Sequence, residues 1–134
     1  MERTNLGDEC LLSLTPKANI AVADLSYLSL RKAIPLLAQI TELNCEMVCL
    51  VKPLFEIHDS QVCRTGKVPE PLIIELLRDI IASVHGMGLQ ICGVCNSLIL
   101  GSNNTREFFL HVIKGQSIRP VCDVDIQSIV KYRS

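Results

Sequence analysis

Short, continuous apolar runs alternate with longer amphipathic segments along this chain of 134 residues. The runs Asn19–Ala23 and Glu46–Val51 are typical of buried parallel strands that are apolar on both faces. Two further strands are predicted at Leu89–Val94 and Glu107–Ile113, separated by the turn-rich stretch 101–105. The order strand, helix, strand, helix, strand, strand predicts an α/β fold of parallel βαβ units closed by an antiparallel strand.

Helical periodicity appears in two of the intervening segments. Residues 30–40 follow Ser29, a good N-cap, and carry one apolar face, although Pro35 predicts a kink. Residues 71–85 begin with Pro71, which suits the first turn of a helix, and present a broad apolar stripe.

The remaining segments have weaker patterns. We expect a short strand near Leu11–Leu14 and a long loop over residues 54–70. Residues 1–115 are predicted to form one domain, because no linker or repeat divides them. Residues 116–134 then form a tail, either a short helix or an ordered arm.

Composition narrows the class of protein. The chain is 49% hydrophobic, with 13 Lys and Arg against 14 Asp and Glu, which excludes wholesale disorder and argues against a broad polyanion-binding surface. Seven cysteines without a signal peptide favour a reduced, cytoplasmic protein. The longest uncharged stretch, 86–105, is interrupted by polar residues, so no membrane span is expected.

Three charged residues are predicted to converge at one edge of the sheet. Asp24 follows the first strand, Lys52 follows the second, and Glu107 opens the last. Ligands of open α/β sheets bind at the carboxyl ends of the strands, and an antiparallel last strand would begin there. A lysine oriented by two carboxylates is a candidate catalytic group, and a structural ion-pair cluster is the alternative.

Three blocks of sequence resemble a known family. They are Asp24-Leu-Ser-Tyr-Leu-Ser-Leu-Arg31, Leu50-Val-Lys-Pro-Leu-Phe-Glu56 and Thr105-Arg-Glu-Phe-Phe-Leu-His111. In order and spacing they resemble the hemolysin A (TlyA) group of FtsJ-like, S-adenosylmethionine-dependent ribosomal RNA 2′-O-methyltransferases. The resemblance covers roughly residues 1 to 114. It implies the carboxyl-terminal half of a Rossmann-like methyltransferase domain, with ribosomal RNA as the substrate.

The resemblance also implies roles for single residues. The family has a Lys-Asp-Lys-Glu catalytic tetrad, and its motifs place the last three members on Asp24, Lys52 and Glu107. Asp24, together with Asn5 in the segment that resembles the end of the family's third strand, would contact the S-adenosylmethionine cofactor. Two basic residues of the segment after Lys52 could meet RNA phosphates, or could simply form a solvated loop face; these are Arg64 and Lys67.

Two features of the family have no counterpart in this sequence. No glycine-rich turn follows a strand before Asp24, and the tetrad's first lysine is missing. We therefore expect a truncated methyltransferase that binds S-adenosylmethionine weakly or not at all. The alternative is a non-catalytic interaction or RNA-binding module, which forms a homodimer or pairs with a complementing chain at the open edge of its sheet.

The cysteines and histidines carry weaker signals. Cys92-Gly-Val-Cys95 has the spacing of a redox motif or half a zinc site, but we expect these cysteines, like Cys45 and Cys49, to pack in the core. A thiol redox protein is the third hypothesis. His111 is expected to be structural, and no metal site is predicted.

Overall fold

The fold is built on a four-stranded sheet, and the computed structural model describes residues 3–115 and 123–132 of the chain. The strand order is β1-β2-β4-β3. Strand β1 pairs with β2 in parallel, and β4 lies antiparallel between β2 and β3. The predicted α/β fold, with parallel strands and a closing antiparallel strand, is confirmed. The bounds are β1 Ala18–Ala23, β2 Thr41–Val51, β3 Gln90–Asn96 and β4 Phe108–Ile113.

Both predicted helices are present. The Ser29 side chain accepts a hydrogen bond from Arg31 N and caps the first of them, α2. The second, α5, has Pro71 in its first turn, where a missing backbone N–H costs nothing. The helices are α1 Glu9–Leu12, α2 Leu30–Ile40, α3 Pro53–Glu56, α4 Ser60–Thr65, α5 Glu70–Gly86 and α6 Asp123–Lys131.

Two predictions about the connecting segments were wrong. The short strand expected near residue 11 is the helical turn α1. The long loop expected over residues 54–70 contains α3 and α4, which are only 4 and 6 residues long and carry no helical periodicity. In the predicted tail, residues 116–122 lie outside the described part of the chain, and residues 123–131 form α6, the helical alternative.

The helices cover one face of the sheet. Helix α5 contacts both α2 and α6, while α2 packs on β2 and α5 and α6 pack on β3. The core between these layers contains side chains from every strand, and its largest fully buried members include Phe108, Leu30, Ile34, Met47 and Leu77. No helix of the described residues is long and apolar enough to cross a membrane.

The opposite face of the sheet is uncovered in the described residues. Ile20 and Val22 of β1 are 64% and 74% exposed. Their register partners on β2, Glu46 and Val48, are exposed and half-buried. The prediction that β1 is buried on both faces was therefore wrong: its apolar composition is real, but no described residues form the packing layer that buries the second face in a doubly wound sheet. We call this surface the uncovered face.

Candidate active site

A lysine–aspartate ion pair joins the carboxyl ends of β1 and β2. Asp24 follows β1 and Lys52 follows β2, and the parallel register pairs Ala23 with Cys49. Lys52 Nζ lies 2.5 Å from Asp24 Oδ1. The lysine side chain is 18% exposed and that of the aspartate 63%. A carboxylate that solvent reaches thus holds the amine in a mostly enclosed position.

Glu107 lies at the same edge but is not part of that ion pair. Phe108 of β4 pairs with Val51 of β2. Because the two strands are antiparallel, Glu107, just before β4, lies across from Lys52, just after β2. The Glu107 carboxylate leans over Gly101 and leaves no room there for a side chain. Within the described residues, Glu107 forms no hydrogen bond or ion pair with Lys52. The site therefore joins two of the three predicted residues directly and holds the third nearby.

A buried carboxylate, Glu56, connects two of the sequence blocks. Its Oε1 accepts a hydrogen bond of 2.8 Å from Leu30 N, and its Oε2 accepts one of 2.7 Å from the Ser29 hydroxyl. A negative charge at the start of α2 satisfies N–H groups that have no partner inside the helix. Sequence reasoning assigned Glu56 no role, because its partners lie 26 and 27 residues earlier in the chain.

A cavity of about 390 Å³ opens beside the lysine. Two aromatic side chains on its wall are unusually exposed, Tyr27 at 66% and Phe55 at 47%. A second cation, Lys32, also lines it. Aromatic surfaces and cations are the groups that stack on bases and contact phosphates, so this cavity suits a nucleotide more than a wholly apolar ligand. We call it the lysine cavity.

The two predicted RNA-contacting residues are placed differently. Arg64 is exposed in the last turn of α4. Lys67 lines a second cavity, of about 530 Å³, between the segment that follows α4 and the turn that precedes β4. This cavity is also a feature that the sequence did not predict. We call it the Gly66–Arg106 groove.

The two residues expected to contact S-adenosylmethionine have different surroundings. Asn5 is exposed in the turn before α1, where its backbone N–H donates to Asp8, and it does not line the lysine cavity. Asp24 is engaged by Lys52. The sequence has no glycine-rich turn that could hold the cofactor at a helix N-terminus.

The expectation that Cys92 and Cys95 pack in the core was wrong. A register shift in β3 between Ile91 and Gly93 brings Cys92 beside His111, with Sγ 3.1 Å from Nδ1. Cys95 is exposed, whereas the expectation for Cys45 and Cys49 is confirmed, since both are buried.

The same geometry bears on the redox hypothesis. Residues three apart in a strand have Cα atoms about 10 Å apart, beyond the reach of a disulfide. His111 Nε2 in turn lies 3.0 Å from Glu46 Oε2, which gives the histidine a structural role. Burial and the charge of Glu46 raise the pKa of the Cys92 thiol, which disfavours the reactive thiolate. In the described part of the chain, no group of three or more His, Cys, Asp or Glu side chains could hold a metal ion.

Two curated proteins are similar in sequence. The chain is 31% identical over 113 residues to the Mycobacterium tuberculosis 16S/23S rRNA (cytidine-2′-O)-methyltransferase TlyA, covering 82% of this chain and 41% of that protein. It is 29% identical over 136 aligned residues to YqxC of Bacillus subtilis, which is named for a proposed rRNA methyltransferase activity. This alignment covers 98% of this chain and 48% of YqxC. The chain thus spans less than half the length of these relatives. No protein-family model matches it.

Two solved structures are similar in fold. A proposed hemolysin from Streptococcus thermophilus has a TM-score of 0.75 and 28% identity, over 84% of this chain and 41% of that one. A proposed hemolysin from Lactococcus lactis has a TM-score of 0.84 at 23% identity, over 98% of this chain and 64% of that one. These two structures show a shared fold. The curated relatives, whose partial coverage fits a carboxyl-terminal half, show that the chain belongs to the hemolysin A (TlyA)/FtsJ-like family.

Proposed function

We propose that this chain supplies the methyl-accepting side of a ribosomal RNA ribose 2′-O-methyltransferase of the hemolysin A type. The observation that carries the proposal is the Lys52–Asp24 ion pair, whose lysine lines the lysine cavity. S-adenosylmethionine is the methyl donor that family membership implies. A protein with this activity is expected in the cytoplasm, where ribosomal RNA is found.

The geometry suits activation of a ribose hydroxyl. A 2′-hydroxyl is a poor nucleophile, and the Lys52 amine, in its neutral form, can accept the hydroxyl proton while the oxygen takes up the methyl group. Asp24 fixes the direction of Lys52 Nζ, because the two groups are in contact. Glu107 at the same edge adds a second carboxylate that can orient the amine once RNA is bound. Binding in the cavity then aligns the hydroxyl for reaction.

Methyl transfer can be tested by complementing the chain. The chain is mixed with ribosomal RNA and radiolabelled S-adenosylmethionine, alone and with the part of YqxC that it does not match. We expect label in the RNA only when the YqxC part is present, and at least about 100-fold less with Lys52→Ala. Lys17→Ala is the matched control, because Lys17 lies at the opposite edge of the sheet, before β1. Undiminished labelling with Lys52→Ala would contradict the role of Lys52.

The uncovered face favours a second candidate function, the binding of another chain. In the described residues β1 pairs only with β2, so its other edge is open, and Ile20 and Val22 are exposed beside it. Exposed apolar sheet surface with an open edge strand is typical of an interaction site. The partner is a second copy or a complementing chain.

Sedimentation measurements separate this candidate from the first. A homodimer that uses this face should dissociate in the Val22→Lys variant, while Leu12→Lys, a change of an equally apolar exposed residue on α1, leaves it intact. A wild-type chain that stays monomeric at high concentration, and that does not associate with the unmatched part of YqxC, would exclude the interaction function.

A further inference from the structure

The Gly66–Arg106 groove is the larger of the two cavities at the carboxyl edge of the sheet. Its two walls come from distant parts of the chain, the segment 66–68 after α4 and the turn 103–106 before β4. Ile73 of α5 and Val68 provide apolar surface within it. Its volume of about 530 Å³ is within the range of small-ligand sites.

Unusual backbone geometry shapes both walls. Asn103 and Asn104 have φ angles of 57° and 55°, and Gly66 has a φ of 65°. Residues other than glycine adopt this left-handed conformation at an energetic cost, and asparagine tolerates it better than most. The turn is held by a 2.8 Å hydrogen bond from Gly101 N to Thr105 O. Two consecutive asparagine side chains are thereby turned outward, and both are exposed.

The polar groups of the groove divide into engaged and available ones. Arg106 donates to Val130 O at 2.6 Å and to Asn96 Oδ1 at 2.7 Å, so it serves the fold. It also lies 3.8 Å from the carboxylate of Glu70, an acidic residue that lines the groove. By contrast, no hydrogen bond or ion pair among residues 3–115 and 123–132 engages the side chains of Lys67, Asn103 or Asn104. One cation and two amides are therefore available to a ligand.

The two walls also fit closely against each other. A Cβ atom added at Gly66 would lie 2.8 Å from Asn103 Nδ2, and Thr105 Oγ1 donates to Gly66 O at 3.5 Å. The amide of Asn103 therefore rests over the Gly66 backbone, while the side chain of Asn104 is exposed and makes no hydrogen bond within the described residues. Asn104 is the better candidate for a direct ligand contact.

We propose that the Gly66–Arg106 groove binds the nucleotide of single-stranded RNA that neighbours the reacting ribose. Lys67 contacts a phosphate and the Asn104 amide contacts a base edge, while the half-buried Val68 packs against the base. Amides carry both a donor and an acceptor, which base edges match. Arg106 precedes Glu107, which lies across from Lys52, so this groove and the lysine cavity both lie at the carboxyl edge of the sheet. The inference rests on the proposed function and adds a substrate-binding site to it.

Fluorescence anisotropy can test both contacts. The probe is a labelled, cytidine-containing single-stranded RNA of about 12 nucleotides, compared with the same RNA lacking its internal bases. Lys67→Ala should weaken the binding of both RNAs and reduce the steepness of log affinity against log salt by about 0.7. Asn104→Gly, which keeps the positive φ, should weaken the intact RNA about fivefold and leave the abasic RNA unchanged. Lys17→Ala is the control for loss of a positive charge.

The outcomes separate this inference from the proposed function. If wild type binds RNA and the Lys67 and Asn104 variants bind it equally well, or lose no more than Lys17→Ala, the groove is not an RNA site. The methyltransferase proposal is untouched by that result. If wild type binds neither RNA, both proposals are contradicted. Loss of labelling in Lys52→Ala together with normal RNA binding would support the division of roles between the two cavities.

Discussion

At the scale of single residues, Glu56 and Lys52 show how one short block of sequence serves both fold and site. Lys52 points to Asp24 at the edge of the sheet, whereas Glu56, four residues later, turns inward to the start of α2. Both meet the block that begins at Asp24, one as an ion pair and the other through Ser29. The sequence predicted the first contact from the positions of the strand ends. It could not predict the contact of Glu56 with the start of α2, because the residue type does not show whether a glutamate side chain is buried or exposed.

The Glu56 carboxylate should be a major source of stability. Glu56→Ala leaves the Leu30 N–H and the Ser29 hydroxyl without their acceptor, so we expect the free energy of unfolding to fall by about 2 to 3 kcal/mol. Glu56→Gln keeps an acceptor but removes the charge and should cost about 1 kcal/mol. Urea unfolding measures both, with Glu75→Ala on the exposed face of α5 as control. Equal losses for Glu56→Ala and Glu75→Ala would contradict this role.

The buried thiol of Cys49 should make stability fall at alkaline pH. Burial raises the pKa of Cys49 from 9.0 to about 12. Because the folded pKa lies above the unfolded one, the stabilisation is complete below about pH 9 and declines as the pH rises towards 12. Between about pH 8 and pH 10 we expect a loss of about 1 kcal/mol. Urea unfolding across this range should show the loss in wild type. An equally steep decline in Cys49→Ala would assign it to other groups.

At the scale of elements, long periodic segments were predictable and short capped ones were not. Helices α2 and α5 span 11 and 17 residues, long enough for an apolar stripe to repeat. Helix α4 has only 6 residues. It depends on Asp59 at its N-cap and Gly66 at its C-cap, residue types that are equally common in loops. Because this segment mixes polar and apolar residues without a helical period, the sequence predicted a loop there.

The N-cap of α4 gives a direct test of this explanation. Asp59 Oδ1 accepts hydrogen bonds from Gln61 N at 2.8 Å and Val62 N at 3.0 Å. Asp59→Ala should lower the free energy of unfolding by about 1 kcal/mol, while Asp59→Asn retains most of it. Chemical denaturation of the two variants measures the difference. Indistinguishable stabilities would mean that packing of Val62, and not the cap, holds this helix.

At the scale of the whole molecule, helices pack on one face of the sheet, and the other face is uncovered in the described residues. The sequence predicted the order and direction of the strands, and which of them end at the site. It could not predict that Ile20 and Val22 are exposed, because an apolar strand has the same composition whether or not a helix covers it. Among the described residues, the carboxyl edge of the sheet carries the Lys52–Asp24 ion pair, and no glycine-rich turn precedes Asp24 in the sequence.

This asymmetry predicts the outcome of a cofactor-binding experiment. Titration calorimetry of S-adenosylmethionine into the isolated chain should give no saturable heat at ligand concentrations up to about 1 mM. This corresponds to a binding free energy weaker than about −4 kcal/mol. The expectation follows from the absence of a glycine-rich turn and from the engagement of Asp24 by Lys52. Stoichiometric micromolar binding would contradict it and would require another cofactor site on this chain.

The place of β4 between β2 and β3 determines when the sheet can be completed during synthesis. Strands β2 and β3 leave the ribosome first, but they have no ladder between them until β4 enters the space that separates them. Glu107 immediately precedes that strand, and Arg106, two residues before it, fastens α6 through Val130 O. Because domains fold as units during synthesis, a nascent chain that ends before residue 108 holds two unjoined pieces of sheet. The Lys52–Asp24 ion pair needs only β1 and β2, so Glu107 is the charged residue that reaches this edge when the sheet is completed.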